Sequence, residues 1–188
     1  MNQKFLGIDF GAKLAGTTAI CFVINDELHL SQSAKKQDAD TWLRSIIAAQ
    51  QASAIFMDAP LSLPGVYRGC GADYHYCACD RMVGAMSPMF LGGLTARAMQ
   101  LRAAFPELSF HEAYPAHHVR LLFAGATCYK TDLDLFSAIL AERLPFPFAK
   151  YPENWHQVDA ALVWLTGWRH ERAEGIAFGE AGEGMIWV

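Results

Sequence analysis

Two short apolar runs that both end in aspartate constrain this chain more than any other feature. Phe5-Leu6-Gly7-Ile8-Asp9 and Ala54-Ile55-Phe56-Met57-Asp58 have strand length, and small or turn-forming residues follow each, Phe10-Gly11 in one case and Ala59-Pro60 in the other. Between them, Asp38 to Gln50 reads as a helix capped by Asp38, with Trp42, Leu43, Ile46 and Ile47 apolar. A helix between two strands is a crossover, so the second strand should lie parallel to the first. Both aspartates then end strands at the same carboxyl edge, where open α/β sheets bind ligands and where neighbouring strands lie about 4.8 Å apart. Alternation puts Phe5, Gly7 and Asp9 on one face, and Ala54, Phe56 and Asp58 on one face of theirs, so the two carboxylates can point the same way and share a cation.

The rest of the chain extends this pattern. Thr17 to Ile24 and Glu27 to Leu30, with a turn at Asn25-Asp26, complete a three-stranded meander. After the fourth strand, Ala59 to Phe90 is rich in Pro, Gly, Tyr and Cys and has no sustained period, and connections of such length are often functional. Gly92-Gly93 leads into a helix around Thr95 to Phe105. Leu108 to Glu112 is a strand, and helices follow over Pro115 to Phe123, Leu133 to Arg143 and Glu153 to Arg172, with a proline-broken stretch at Leu144 to Pro152. Ile176 to Val188 is Gly-rich and hairpin-like. These elements predict one α/β domain over 1–188. It has a five-stranded mixed sheet in the order 3-2-1-4-5, helices on both faces, and a Cys/Tyr/Gly-rich insertion at about 59–90.

The bulk properties set limits on function. With 188 residues, 53% hydrophobic and 18% charged, the chain suits one globular domain. No apolar run approaches the roughly 20 residues of a membrane span, and Met1-Asn2-Gln3-Lys4 leads straight into a strand-like segment, which argues against a secretory signal. Five cysteines, an odd number with three bunched in one loop, argue against a disulfide framework and for a reducing, cytoplasmic setting. The net charge of −4 argues against indiscriminate coating of nucleic acid, which needs arrays of Lys and Arg. It leaves room for an enzyme whose acids hold divalent cations.

Glu112 ends the next strand, Leu108-Ser109-Phe110-His111-Glu112, and becomes a third acidic candidate by the same argument. Asp159 sits in the late helix beside the apolar Val158, Leu162 and Leu165, on a face that packs inward, with His156 three residues earlier. A carboxylate there needs a cation or hydrogen bonds, and Mg²⁺ or Mn²⁺ would keep such acids ionised despite their mutual repulsion. The plainer alternatives are turn-forming caps for Asp9 and Asp58, a solvated strand end for Glu112, and a surface or supporting role for His156.

At these residues the sequence resembles a family of predicted nucleases of ribonuclease H-like fold, a domain-of-unknown-function family distantly related to Holliday-junction resolvases. The resemblance runs over nearly the whole chain. It rests on Gly7-Ile8-Asp9-Phe10-Gly11, Asp58-Ala59-Pro60-Leu61, Arg97 after a Gly-Gly pair, Glu112-Ala113-Tyr114-Pro115, Asp159-Ala160 and the ending Gly182-Glu183-Gly184-Met185-Ile186-Trp187. It implies that Asp9, Asp58 and Asp159 are metal-binding acids, with Glu112 as an additional carboxylate. It also implies two Mg²⁺ or Mn²⁺ ions that serve phosphodiester hydrolysis of DNA or RNA, the nucleic acid being the partner.

Lys13, Arg68, Arg81 and Arg97 are the candidate cations for substrate phosphates. Arg97 stands out because it follows Gly92-Gly93 into a helix, and Arg102 lies in the same region. Tyr67, Tyr74 and Tyr76 could stack on unpaired bases. Cys70, His75, Cys77 and Cys79 are soft enough ligands for Zn²⁺, but their spacing is poor for a zinc knuckle, and the competing reading is a loop whose cysteines pack as small hydrophobes. The first strand also resembles the phosphate-binding strand of sugar kinases and actin-like ATPases, although 188 residues leave no room for a second such domain. A non-catalytic binding module is the alternative from another class, and under either reading the chain could form a homodimer.

Overall fold

The structure, a computed structural model, describes residues 5–180 and 182–188. The reading of the first four residues lies outside them. Strand β1 (Phe5–Asp9) is flanked by β2 (Ala19–Ile24), which is antiparallel to it and continues through a tight turn into β3 (Glu27–Gln32). Asn25 and Asp26 occupy that turn with φ of 52° and 60°, the left-handed conformation that two-residue hairpin turns require and that these two residue types tolerate.

Helix α1 (Ala39–Gln50) is capped by Asp38, whose side chain accepts from the Asp40 and Thr41 N–H groups, and it carries the chain across to β4 (Ala54–Asp58). β4 runs parallel to β1 with Asp9 opposite Asp58. The segment after β4 holds a turn of 3₁₀ helix at Gly65–Arg68 and two short helices, α2 (Ala78–Val83) and α3 (Pro88–Leu91). Helix α4 (Gly93–Ala103) and strand β5 (Ser109–Ala113), parallel to β4, follow. Then come α5 (Pro115–Leu122), α6 (Leu133–Ala141), α7 (Trp155–Glu171) and a hairpin of β6 (Ala177–Glu180) and β7 (Gly184–Trp187).

The sheet has seven strands in the order β3-β2-β1-β4-β5-β7-β6, which corrects the five-stranded expectation. The order 3-2-1-4-5 is contained in it. The addition comes from the C-terminal hairpin, which docks β7 parallel to β5 through the pairs Glu112–Ile186 and Ala113–Trp187. At the opposite edge, Leu28 exchanges backbone hydrogen bonds with Pro147 and Ala149, so the proline-rich connection covers an otherwise open strand.

Side-chain alternation sorts the core into two layers. Leu6, Ile8, Ile55 and Met57 pack with Leu43 and Ile47 of α1 and Ala98 and Leu101 of α4. Phe5 and Phe56 face the other way, towards Phe136, Leu140 and Trp164 of α6 and α7. α7 is buried from Gln157 to Gly167, because the sheet lies on one side of it and α5 and α6 lie on the other. Its approach to β1 is set by Gly7. A methyl group there would collide with the Trp164 backbone nitrogen and sit 2.6 Å from the Ala160 carbonyl oxygen, so only glycine lets the helix backbone lie directly on the strand. Gly7 shares its face with Asp9, and the first turns of α7 therefore run past the Asp9 carboxylate.

Candidate functional site

Asp9 and Asp58 end adjacent parallel strands in register. The Asp9 carboxylate is buried, and its Oδ2 pairs with Nδ1 of His156 at 2.7 Å. His156 owes its position to the start of α7, where the Asn154 side chain caps the helix by accepting from the N–H groups of His156 and Gln157. One turn on, the buried Asp159 accepts from Tyr129 Oη at 2.8 Å through Oδ1 and from Lys130 Nζ at 2.5 Å through Oδ2. Lys130 adopts a left-handed φ of 64°, in the connection between α5 and α6.

Burial dominates the electrostatics of these acids. It raises the pKa of Asp9, against the pull of the His156 hydrogen bond. Asp58 is held well above the ordinary carboxylate range by burial and then by the charges of Asp9 and Asp159, and no hydrogen bond to a described residue offsets this. Asp159 is pushed up to about 6, again by burial first, with Lys130 opposing. The same contacts raise His156, through its bond to Asp9, and Tyr129, through burial and the Asp159 charge. Three acids therefore meet at the sheet edge, with the His156 imidazole and the Lys130 ammonium as their neighbours among the described residues.

Glu112 approaches from the other flank. Its carboxylate is buried, accepts from the Leu61 N–H at 3.0 Å and is held well above its ordinary pKa by burial. With Asp9, Asp58 and Tyr114 it lines a cavity of about 330 Å³, roofed by Pro60, Ala85 and Met86 of the long connection. The two ends of that connection therefore lie over the acidic edge. Asp159 stands outside this cavity, on the α7 side.

The proposed phosphate contacts do not converge here. Arg97 grips Asp40 with Nε at 2.9 Å and Nη2 at 2.6 Å, donates to the Gly11 carbonyl and lies over the Phe10 ring, so it ties α4 to α1 and to the β1 exit. Lys13 pairs with Asp38 at 3.0 Å, and Arg81 pairs with Asp73 and lies over Tyr76. Arg68 donates to the Glu183 carbonyl and, with Arg102 and Glu112, lines a separate cavity of about 350 Å³. The cation that does reach the acids is Lys130. It lies between two helices in a stretch without periodicity, and nothing in its local sequence marks it out.

The four proposed zinc ligands also separate. Cys70 is exposed and hydrogen-bonds the Gly65 carbonyl, while the His75 ring packs against Phe90. Cys77 and Cys79 instead gather with Asp80, and their ligand atoms lie within 4.8 Å of one another. The acids of the sheet edge form no group that tight. Comparison of the chain with protein-family models, curated proteins and solved structures found no match.

Proposed function

We propose that this chain is a metal-dependent nuclease of ribonuclease H-like fold, hydrolysing phosphodiester bonds of DNA or RNA with Mg²⁺ or Mn²⁺ at its acidic edge. One observation carries the reading. Asp9 and Asp58 are register partners at the ends of parallel strands, and a third acid, the buried Asp159, is delivered to them by a helix packed directly on β1. The contained strand order 3-2-1-4-5, with β2 antiparallel and β4 and β5 parallel to β1, is what a ribonuclease H-like assignment requires.

The residues suit hard divalent cations. All the donors are carboxylate oxygens, they repel one another, and Asp58 has no hydrogen bond to lose among the described residues. Four acids from three strands and one helix offer enough carboxylate oxygens for more than one such ion. Asp9 and Asp58 would hold the ions, with Asp159 and Glu112 on the two flanks. When bound, the ions supply Lewis acidity, which makes an attacking water more acidic and neutralises charge on the departing 3′ oxygen.

The chain's own groups do the rest. His156 Nδ1 can hold or release a proton at Asp9 Oδ2, and the Lys130 ammonium brings positive charge to Asp159 on the α7 side of the site. The roof formed by Pro60, Ala85 and Met86 restricts water and shapes access. The deciding assay presents single-stranded, duplex, hybrid and junction substrates with Mg²⁺ or Mn²⁺ to the wild type and to Asp9→Asn. The expected result is metal-dependent cleavage that falls at least about 100-fold in the variant. Cleavage at wild-type rate in the variant excludes the mechanism, and no cleavage by either protein favours a binding module.

A further inference from the structure

Cys77, Cys79 and Asp80 open helix α2, and each is almost wholly buried, at 3%, 2% and 1% exposure. Packing as small hydrophobes would account for two cysteines beside Val83 and Ile186. It does not account for a buried aspartate in the same spot, nor for the Glu112 carboxylate, which interacts with all three groups. Among the described residues, the cation acting on Asp80 is Arg81, which is itself exposed and committed to Asp73. Buried acids beside two thiols without a compensating cation are costly.

We propose that Cys77, Cys79 and Asp80 form a binding site for a thiophilic divalent cation, Zn²⁺ foremost, which clamps the insertion onto the C-terminal hairpin. Two thiolates and a carboxylate are a ligand set that selects zinc over magnesium. Ligand atoms of a tetrahedral site with metal–sulfur bonds of about 2.3 Å lie about 3.8 Å apart, so atoms already within 4.8 Å need close by only about 1 Å.

The surroundings suit a thiolate. The Cys77 sulfur accepts from the Asp80 backbone N–H, the Asp80 carboxylate accepts from the Cys77 N–H at 2.8 Å, and the Cys79 thiol hydrogen-bonds the Cys77 sulfur. Both carboxylate oxygens of Glu183 are already used by the Gly65 and Ala78 N–H groups, which leaves the ligand set to the three residues and water. Binding would release the two thiol protons to solvent as the metal replaces them.

The hairpin completes the pocket. At Gly184 a methyl group would sit 2.7 Å from Ser62 Oγ, 3.8 Å from the Cys79 sulfur and 4.0 Å from the Cys77 sulfur, and at Gly179 it would lie 2.6 Å from Cys79 Cβ. Two glycines of β6 and β7 thus lie directly over the thiols, in backbone conformations of φ 108° and 156° that favour glycine. A metal at Cys77, Cys79 and Asp80 would hold α2 under this hairpin and, through Ala85 and Met86, set the roof of the acidic cavity.

The test uses the whole chain with Co²⁺ and Zn²⁺ as probes. Wild type should bind one equivalent of Co²⁺ with thiolate-to-cobalt charge-transfer absorption in the near ultraviolet, displaced by Zn²⁺. The band should vanish in the Cys77→Ser/Cys79→Ser double variant and persist in Cys70→Ala, His75→Ala and Asp58→Asn, which separates this site from the acidic edge. Absence of the band, or its survival in the double variant, overturns the proposal. Should the double variant fail to fold, alkylation of wild type decides: Zn²⁺ should slow modification of Cys77 and Cys79 at least tenfold and leave Cys70 unchanged. Equal rates with and without Zn²⁺ refute the site.

Discussion

Asp9 and Asp58 are register partners, yet Asp9 Oδ2 is bonded to His156 while the Asp58 carboxylate meets no hydrogen-bond donor among the described residues. Neutralising the two should therefore have different consequences. Asp58→Asn removes a repelled charge and breaks no hydrogen bond to a described residue, whereas Asp9→Asn also gives up a charge-assisted hydrogen bond. The sign for Asp58 follows from its raised pKa. Its neutral form favours folding at low pH, and that contribution is lost as pH rises through the folded-state pKa. In chelator at pH 7.5, Asp58→Asn should raise Tm by about 2–4 °C, and the gain should shrink towards pH 5. Thermal melts at the two pH values check this, and a Tm at or below wild type at pH 7.5 would count against a strained acidic edge.

Lys130 holds Asp159 while partly exposed, so solvent screens the pair and its contribution is about 1 kcal/mol. Lys130→Met should lower Tm in chelator by about 2–4 °C. Removing a cation also makes the site more negative, so Mn²⁺ should bind more tightly to this variant. Isothermal titration of both proteins with Mn²⁺ reads the comparison, and weaker binding by the variant would show that Lys130 supports the metal rather than competing with it.

What was legible in the sequence follows from signal length. β1 and β4 are continuous apolar runs that each close on an aspartate, and a capped amphipathic helix between them dictates their parallel pairing, so the Asp9–Asp58 relationship could be read directly. β6 and β7 are four residues each, too short and too Gly-rich to show a period, and their place beside β5 depends on two residue pairs. The short helices of the insertion were hidden for the same reason. Arg97 was misplaced because its partner, Asp40, lies 57 residues away and no local pattern announces a tertiary ion pair. Lys130 and Tyr129 escaped because a connection between helices carries no periodicity from which an inward-facing side chain could be inferred.

Gly7 supports the site without touching it. Gly7→Ala would force the Trp164 and Ala160 backbone away from β1, at a cost of about 1–3 kcal/mol, or roughly 2–4 °C in Tm for each. Because α7 carries both His156 and Asp159, Mn²⁺ affinity should fall as well. Loss of stability with unchanged Mn²⁺ affinity would separate the helix position from the site.

His118 gives a pH signature of the opposite sign. It is fully buried, its Nδ1 lies 2.8 Å from Thr166 Oγ1, and burial pushes its pKa down to about 3. Between that value and the ordinary histidine pKa near 6.5 the unfolded chain binds a proton that the native state does not. Stability therefore falls with falling pH, by about 1.4 kcal/mol per unit. His118→Asn should flatten the decline in Tm between pH 6 and pH 4, whatever its effect on Tm itself. An unchanged slope would mean that the imidazole is protonated in the native protein.

Asp9 and Asp58, flanked by Asp159, form the carboxylate edge at which divalent metal should bind. Anomalous diffraction from crystals soaked in Mn²⁺ tests it without knowledge of the substrate. Mn²⁺ peaks are expected at the carboxyl ends of β1 and β4, with Asp9 and Asp58 as ligands, and should be lost in Asp9→Asn crystals. Soaked crystals without a peak at these carboxylates, or with Mn²⁺ bound only elsewhere, would contradict it.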